Sequence, residues 1–442
     1  MAKLVKIWND LRSSYWFIPT LMSIGAALLS FFMSTLDGRL GNDWVSAIPW
    51  VYRIQAEGAR GLLTTVAGSM IGVAGVTFSI TIAALSYTTS TLGPRLLTKF
   101  MNDTGNQITL GTFVSTFVYC LLLLRTIRAA NGVGTDFVPH LSMLVAIFFA
   151  VASLAVLIYF IHHITESLHV SNVVGDVAGD LDKAIEQYDE QSRSNADQPS
   201  AALPARFNET STAVRADGDG YIQNLVYDQL VNQATKHDLV LRLVRSPGDF
   251  VGQSQVLMHA WPAERVTDDV ATSLRNAYAW GRQRTESQDV MFLVNELVEI
   301  AARALSPGVN DPYTAMGCLD WLGASLNRLA RRDISTMSRF DKDGTLRVWA
   351  PDFDFQALAE AIFDQLRAYF ATDRNAAIHM LERIGDTGEF INNAAHRKLM
   401  GQQADALKQA TDKAMTSDRD RDAVDYAWQR THRRLSGEQP AA

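Results

Sequence analysis

Leu62-Leu-Thr-Thr-Val-Ala-Gly-Ser-Met-Ile-Gly-Val-Ala-Gly-Val-Thr-Phe-Ser-Ile-Thr-Ile-Ala-Ala-Leu85 contains no charged side chain. A helix needs about 20 apolar residues to cross a bilayer core. This stretch exceeds that, and its uncharged run continues from Gly61 to Pro94, so the helix tilts or projects beyond the lipid. Thr65, Gly68, Gly72, Gly75, Ser79, Ala83 and Ser86 recur three or four apart and form one stripe of small residues. Lipid gives little hydrophobic drive between helices, so close backbone approach takes its place, and Gly68 with Gly72 makes a GxxxG pair. We expect Gly68, Gly72, Gly75 and Ser79 to be helix-packing residues. Thr77, Thr81 and Thr88 fall on roughly the opposite face, where hydroxyls either line a polar path or bond their own helix.

Three further runs lack charge: Tyr15 to Leu36, Ile108 to Leu124 and Leu141 to Ile161. Four such runs before His163 predict four transmembrane helices, at about 15–36, 61–87, 107–125 and 140–162, within a membrane domain of residues 1–168. The first run is too long for a cleaved signal peptide. Tyr15 and Trp16 suit an aromatic belt, and the loop from Asp37 to Arg60 carries Trp44, Ile48, Pro49, Trp50 and Tyr52, which suit a headgroup-level segment or a loop packed on the helix ends.

Charge divides the chain. Met1 to His163 holds 10 basic and 6 acidic residues, whereas the remainder holds 30 and 41. The second part is an ordinary water-soluble composition, and its acidity argues against nucleic acid as a partner. The positive-inside rule is uninformative, since Lys3, Lys6, Arg12, Arg95 and Lys99 balance Arg39, Arg53, Arg60, Arg125 and Arg128. A large domain with no secretion signal stays inside by default. We therefore expect a multi-pass protein of a bacterial cytoplasmic (inner) membrane with both termini in the cytosol. Cys120 falls in a span and Cys318 in the soluble part, so the two are not expected to pair.

No Asp, Glu, Lys, Arg or His occurs within the four runs, which disfavours a proton-coupled transporter and leaves a passive pore open. At the end of the last run, His162, Glu166 and His169 share a helical face, with His163 beside them. That spacing suits a divalent metal or a pH switch as well as a polar helix end.

The soluble part begins with a connecting helix and linker over 169–216. A small β-rich, sandwich-like subdomain follows over 217–263: strand Gly220–Leu225, helix Tyr227–Asp238, strand Leu239–Arg245, turn Ser246–Asp249, Phe250-Val251 and strand Gln255–Trp261. It is similar to the barrel-sandwich modules of lipoyl and biotinyl domains, with an inserted helix and no modifiable-lysine hairpin, so no swinging-arm chemistry is implied. Residues 264–434 read as a helical domain, with helices over Val266–Trp280, Gln288–Leu305, a segment ending near Arg331, Phe355–Phe370 and Arg374–Ile384. A strand fits Leu346–Ala350, and 435–442 is a tail. The fold class is thus an α-helical membrane protein plus a cytosolic α+β domain. Leu305-Ser-Pro-Gly-Val-Asn-Asp-Pro-Tyr-Thr-Ala315 is a capped helix corner. It doubles as a candidate ligand or gating loop through Ser306, Gly308, Asn310 and Asp311, with Arg284 and Asp289 placed to pair across the helix hairpin.

At these residues a resemblance enters. Leu11–Pro19, Ala67–Ser79, Gly105-Asn-Gln, Gly111-Thr-Phe-Val114, Tyr159-Phe-Ile-His-His163, Arg284-Thr, Gln288-Asp289 and the Leu305–Ala315 corner resemble one bacterial family. It is the predicted-membrane-protein family known as a domain of unknown function, number twenty-two fifty-four. The resemblance covers nearly the whole chain. It implies four spans and a cytosolic domain, and carries no established activity or functional residue. Nucleophile-elbow, phosphate-loop and zincin signatures are absent from the sequence, so an enzyme is not expected, nor is a cofactor, and no small-molecule ligand is identified. The leading expectation is an oligomeric ion or small-solute channel with a regulatory cytosolic domain. The alternative is a membrane-anchored sensory or protein-binding module without transport.

Overall fold

The structure, a computed structural model, describes residues 14–40, 55–101, 103–128, 137–193, 202–331, 338–350 and 354–437. The aromatic loop residues Trp44, Ile48, Pro49, Trp50 and Tyr52 lie outside them. The chain forms two compact units, one spanning Asn9–Ser90 and Pro94–His169, the other mainly Val170–Ala442.

The first unit is helical. Its long elements are α1 (Phe17–Leu40), α2 (Ala56–Thr91), α3 (Thr104–Leu124) and α4 (His140–Ser167). All four are long and apolar enough to cross a membrane. At 1.5 Å per residue, the 36 residues of α2 make a rod of about 54 Å, well beyond a hydrocarbon core of about 30 Å. α1 and α3 pack along each other. Gly111 makes this approach possible, because a Cβ there would lie 2.5 Å from Met22 Sδ and 3.3 Å from Pro19 Cα. A second layer of contact joins α3 to α4. Ala59, Leu63 and Ala67 of α2 share one buried cluster with Tyr119, Cys120 and Leu123 of α3 and Met143 and Ala146 of α4.

The second unit opens with α5 (Val170–Arg193), the helix expected at the start of 169–216. Among the described residues eight strands follow: β1 (Thr212–Arg215), β2 (Gly220–Leu225), β3 (Val240–Leu243), β4 (Phe250–Val251), β5 (Val256–Trp261), β6 (Tyr278–Gly281), β7 (Arg339–Phe340) and β8 (Leu346–Trp349). One sheet has the order β1-β5-β3-β8-β7 and the other β4-β2-β6. β3 and β8 are parallel; every other pair is antiparallel. Two helices, α6 (Tyr227–Lys236) and α7 (Asp268–Arg275), join them. Ile222, Leu241, Leu257, Leu274, Tyr278 and Val348 meet in one core.

The β region thus differs from the sequence reading. The helix expected over Val266–Trp280 stops at Arg275, and the chain pairs as β6 with β2. A single turn of apolar spacing followed by Tyr-Ala-Trp fits either period, and cross-strand pairing decides it. The sheet also draws β7 and β8 from beyond the next two helices, so it is not confined to 217–263.

Those helices are α8 (Val290–Ala304) and α9 (Pro312–Ala330). They pack on each other and both pack on α5, where Asp182 accepts from Ser325 Oγ at 3.2 Å and pairs with Arg328. The remainder is a helical array of α10 (Phe355–Phe370), α11 (Arg374–Gly388), α12 (Ala394–Ala414) and α13 (Asp418–Ser436).

Arg347 on β8 ties the sheet edge. Its guanidinium donates to Asp341 at 2.7 Å and to Asp238 at 2.9 Å. Burial pushes the Asp341 carboxyl up. The Arg347 guanidinium and the amides of Thr345 and Asp343 more than offset it, so it settles below the usual carboxylate range.

Two outcomes follow from this packing. Gly111→Leu forces α1 off α3, and thermal unfolding in detergent should fall by several degrees, since overpacking costs about 1–3 kcal/mol. Asp341, with its folded pKa lowered, stabilises the fold above its unfolded value, and that contribution is lost as pH falls through the folded value. Asp341→Asn should therefore be less stable than wild type at neutral pH. The gap in denaturation midpoint should close as pH drops below about 4.

Candidate functional site

The helix that carries the small-residue stripe shows two faces. Ala59, Leu63, Ala67, Ala74, Thr77, Thr81, Ala84 and Thr88 are buried at helical spacing. Ala84 packs on Phe160 and Ile164 of α4. Gly68, Gly72, Gly75 and Ser79 are on the exposed side. A Cβ built on any of these three glycines meets no atom within 4 Å. The side bearing Thr77, Thr81 and Thr88 is therefore the one turned into its own unit, and the side bearing Gly68, Gly72 and Gly75 points out of it. Thr77, Thr81 and Thr88 donate to the carbonyls of Ala74, Thr77 and Ala84 at 3.0, 2.9 and 3.0 Å. On the outer face Thr65, Ser69 and Ser79 do the same with Gly61, Thr65 and Gly75. A threonine satisfied in this way is compatible with apolar surroundings, because its proton is already bonded.

A second polar feature runs between α3 and α4. At one end, Asp37 of α1 accepts the amides of Leu141 and Ser142, both at 2.9 Å, and the Ser142 hydroxyl at 2.5 Å. It is only 6% exposed. These amides belong to the first turn of α4, whose N–H groups have no partner in their own helix. Asp37 thus caps α4 from a different helix, and its negative charge meets the positive end of the helix dipole. Next along the seam, Tyr119 donates to the Ser142 carbonyl at 3.1 Å and Thr116 bonds Ser153 at 3.1 Å. At the other end, Asp103 caps α3 through the amides of Gly105 and Asn106 and bonds His163 Nε2 at 2.8 Å. Gly105 lets that imidazole in, since a Cβ would stand 2.7 Å from Nε2. Tyr159 stacks on His163 with centroids 5.3 Å apart. In the first two turns of α3, Asn106 Oδ1, Gln107 Oε1 and Thr109 Oγ1 are buried with no hydrogen-bond partner among the described residues.

Of the four residues read as a metal or pH site, His163 is thus engaged with Asp103, and His162 with Glu166 at 3.3 Å. α4 ends at Ser167, so His169 follows the helix rather than extending its face. Among the described residues, no group of three His, Cys, Asp or Glu side chains is arranged to hold a metal.

In the second unit, Arg284 donates to Asp289 at 2.8 Å, and Asp289 caps α8 through Phe292 N. Burial raises the Asp289 carboxyl, with Arg284 pulling the other way. Gln288 bridges to both the amide and the carbonyl of Leu225 on β2. Asp311 caps α9 through the amide and hydroxyl of Thr314, and Ser306 donates to Arg303 O. Asn310 has φ 51°. The two corners do not meet. The 15 residues of α8 lie between them, about 22 Å of helix. Pro307, Gly308, Val309, Asn310 and Tyr313 form an exposed tip, with Tyr313 78% exposed.

Asp37, Asp103, Ser142 and Ser153 did not stand out in the sequence. The two acids bound the uncharged runs, where a charge reads as loop, and the two serines are single hydroxyls in an apolar run.

The family described as Predicted membrane protein (DUF2254) matches residues 12–386, and the chain belongs to it. An uncharacterized protein of Mycobacterium tuberculosis is 27% identical over 434 residues, covering 95% of this chain and 80% of the relative. An uncharacterized protein of Mycobacterium bovis matches to the same extent. No solved structure matches the chain.

The seam separates two kinds of polar contact. Asp37→Ala strips two buried amides and a hydroxyl of their acceptor and should cost about 3 kcal/mol, visible as a lower midpoint in detergent unfolding. Thr116→Val removes one hydroxyl pair and should cost about 0.6 kcal/mol, the average for such bonds between membrane helices.

Proposed function

We propose that this membrane protein is a multi-pass protein of a bacterial cytoplasmic membrane, with both termini in the cytosol, whose copies assemble through α2 into a passive ion or small-solute channel regulated by the second unit. The observation that carries the reading is the outward small-residue face of α2. Gly68, Gly72 and Gly75 offer lipid few atoms to pack on, whereas a second helix can approach closely there. The exposed hydroxyls of Thr65, Ser69 and Ser79 accompany them, and we assign the path to this side of α2. The uncharged interiors of all four spans support passive rather than ion-coupled movement.

One observation favours a second reading. The exposed tip at Val309 and Tyr313 suits a protein-binding module that the spans merely anchor.

Mass measurement in detergent and flux from liposomes separate the two. A Cβ at Gly72 meets no atom of the protomer within 4 Å, so Gly72→Leu should match wild type in unfolding midpoint. It should convert an oligomer to monomer and reduce flux about tenfold or more, a loss of at least 1.4 kcal/mol of association. A wild-type protein that is monomeric and conducts nothing over a broad range of voltage and tension sinks the channel and leaves the anchored module.

A further inference from the structure

A cavity of about 750 Å³ opens on the membrane unit where α1 ends and the segment after α3 leaves the helix. Ala27, Phe31, Leu122 and Phe137 supply its apolar wall, and Arg125 and Arg128 its charge. We propose that it binds the headgroup and upper acyl chain of an anionic phospholipid.

Depth is the first argument. α3 is 21 residues long, about 31 Å, which is close to one hydrocarbon thickness. Arg125 follows its last residue, so with α3 spanning the core its guanidinium sits at headgroup level. Leu122 and Phe31 lie deeper, level with the first acyl carbons, and both are exposed, Phe31 at 72%.

Charge is the second. Among the described residues neither Arg125 nor Arg128 has an acid within pairing distance, and both are exposed. Arg60 adds a third guanidinium nearby, donating to the Ile127 carbonyl at 3.0 Å between them in the chain. The nearest buried acid on α1, Asp37, is taken up by Leu141 and Ser142. A guanidinium fork matches a phosphate bidentately, and clustered arginines repel the cation of a zwitterionic choline headgroup.

The remaining polar groups offer a ligand little. Ser34, Thr35 and Thr126 line the cavity but donate to Phe31 O, Phe32 O and Leu123 O. Their protons are spent on their own helices. Ser30 also lines the cavity but is only 2% exposed, so the accessible side-chain donors left for a ligand are the guanidiniums, and the site selects by negative charge and by the length of its apolar wall.

Native mass spectrometry of the full-length protein in detergent tests this with phosphatidylglycerol and phosphatidylcholine of identical chains. Retention of phosphatidylglycerol should exceed that of phosphatidylcholine. Arg125→Gln with Arg128→Gln should lower it about 30-fold, the loss of two basic side chains at a lipid surface, with helical content and unfolding midpoint unchanged. Arg125→Lys with Arg128→Lys should keep most of it. Arg39→Gln, outside the cavity on the last turn of α1, should leave it unchanged. Equal retention of the two lipids overturns the proposal, as does an Arg39→Gln loss as large as the double variant's. Displacement of the lipid by inorganic phosphate assigns the site to a soluble anion and overturns it equally.

Discussion

The membrane unit depends on one constraint: hydrocarbon supplies no hydrogen bonds, so a polar group inside it finds a protein partner or costs several kcal/mol. α4 obeys this at its start through a neighbour rather than through its own sequence. Pro139 precedes the helix and offers no side-chain cap, and the orphan amides of Leu141 and Ser142 go instead to Asp37. That places the end of α1 against the beginning of α4. Asp103 then repeats the arrangement at the far end, capping α3 and holding His163 of α4. The serine, threonine and tyrosine contacts between these anchors set the register of α3 against α4. The two carboxylates fix which helices meet.

This explains how much of the first unit was legible. Four uncharged runs predict four membrane helices from length alone, and the structure has helices over all of them. Facing is a different matter. In water a helix shows its inside by apolar periodicity, but in lipid both faces are apolar and that signal vanishes. The two faces of α2 are a small-residue stripe and a threonine stripe, and either can pack. Threonines that bond their own carbonyls sit comfortably against Ala74 and Ala84, and α2 turns that side inward. Asp37 and Asp103 were hidden for a related reason. A carboxylate at the edge of an apolar run reads as the beginning of a loop, and only its distant partners reveal it as a cap.

In the second unit local chemistry carried further. Asp311 with Pro312 and the Ser-Pro-Gly turn predict a helix boundary, and the caps at Asp289 and Asp311 use the residue types expected there. Long-range pairing was not readable. β7 has two residues and β8 four; β8 lies beside β3 with β7 at its outer edge, tied by Arg347 to Asp341 and to Asp238, the latter 109 residues away. No local pattern announces such a pair. The two loop corners illustrate the same limit: each has the right residues for a site, but α8 holds them a helix length apart, so Arg284 pairs within its own corner.

The cavity at Arg125 and the outer face of α2 make different demands on their surroundings, and this bears on how the protein works in a membrane. The glycine face gains by excluding lipid, because two helices brought together there bury surface that acyl chains pack poorly. The arginine cavity, as proposed, would gain by retaining one lipid of the right charge. Both belong to the same compact unit, and neither uses the residues that hold α1, α3 and α4 together. The proposed assembly and lipid selection would therefore be open to change without loss of the fold, whereas Asp37, Asp103 and Gly111 are not. A bundle held together by Asp37, Asp103 and the seam between them leaves its outer faces open to other uses.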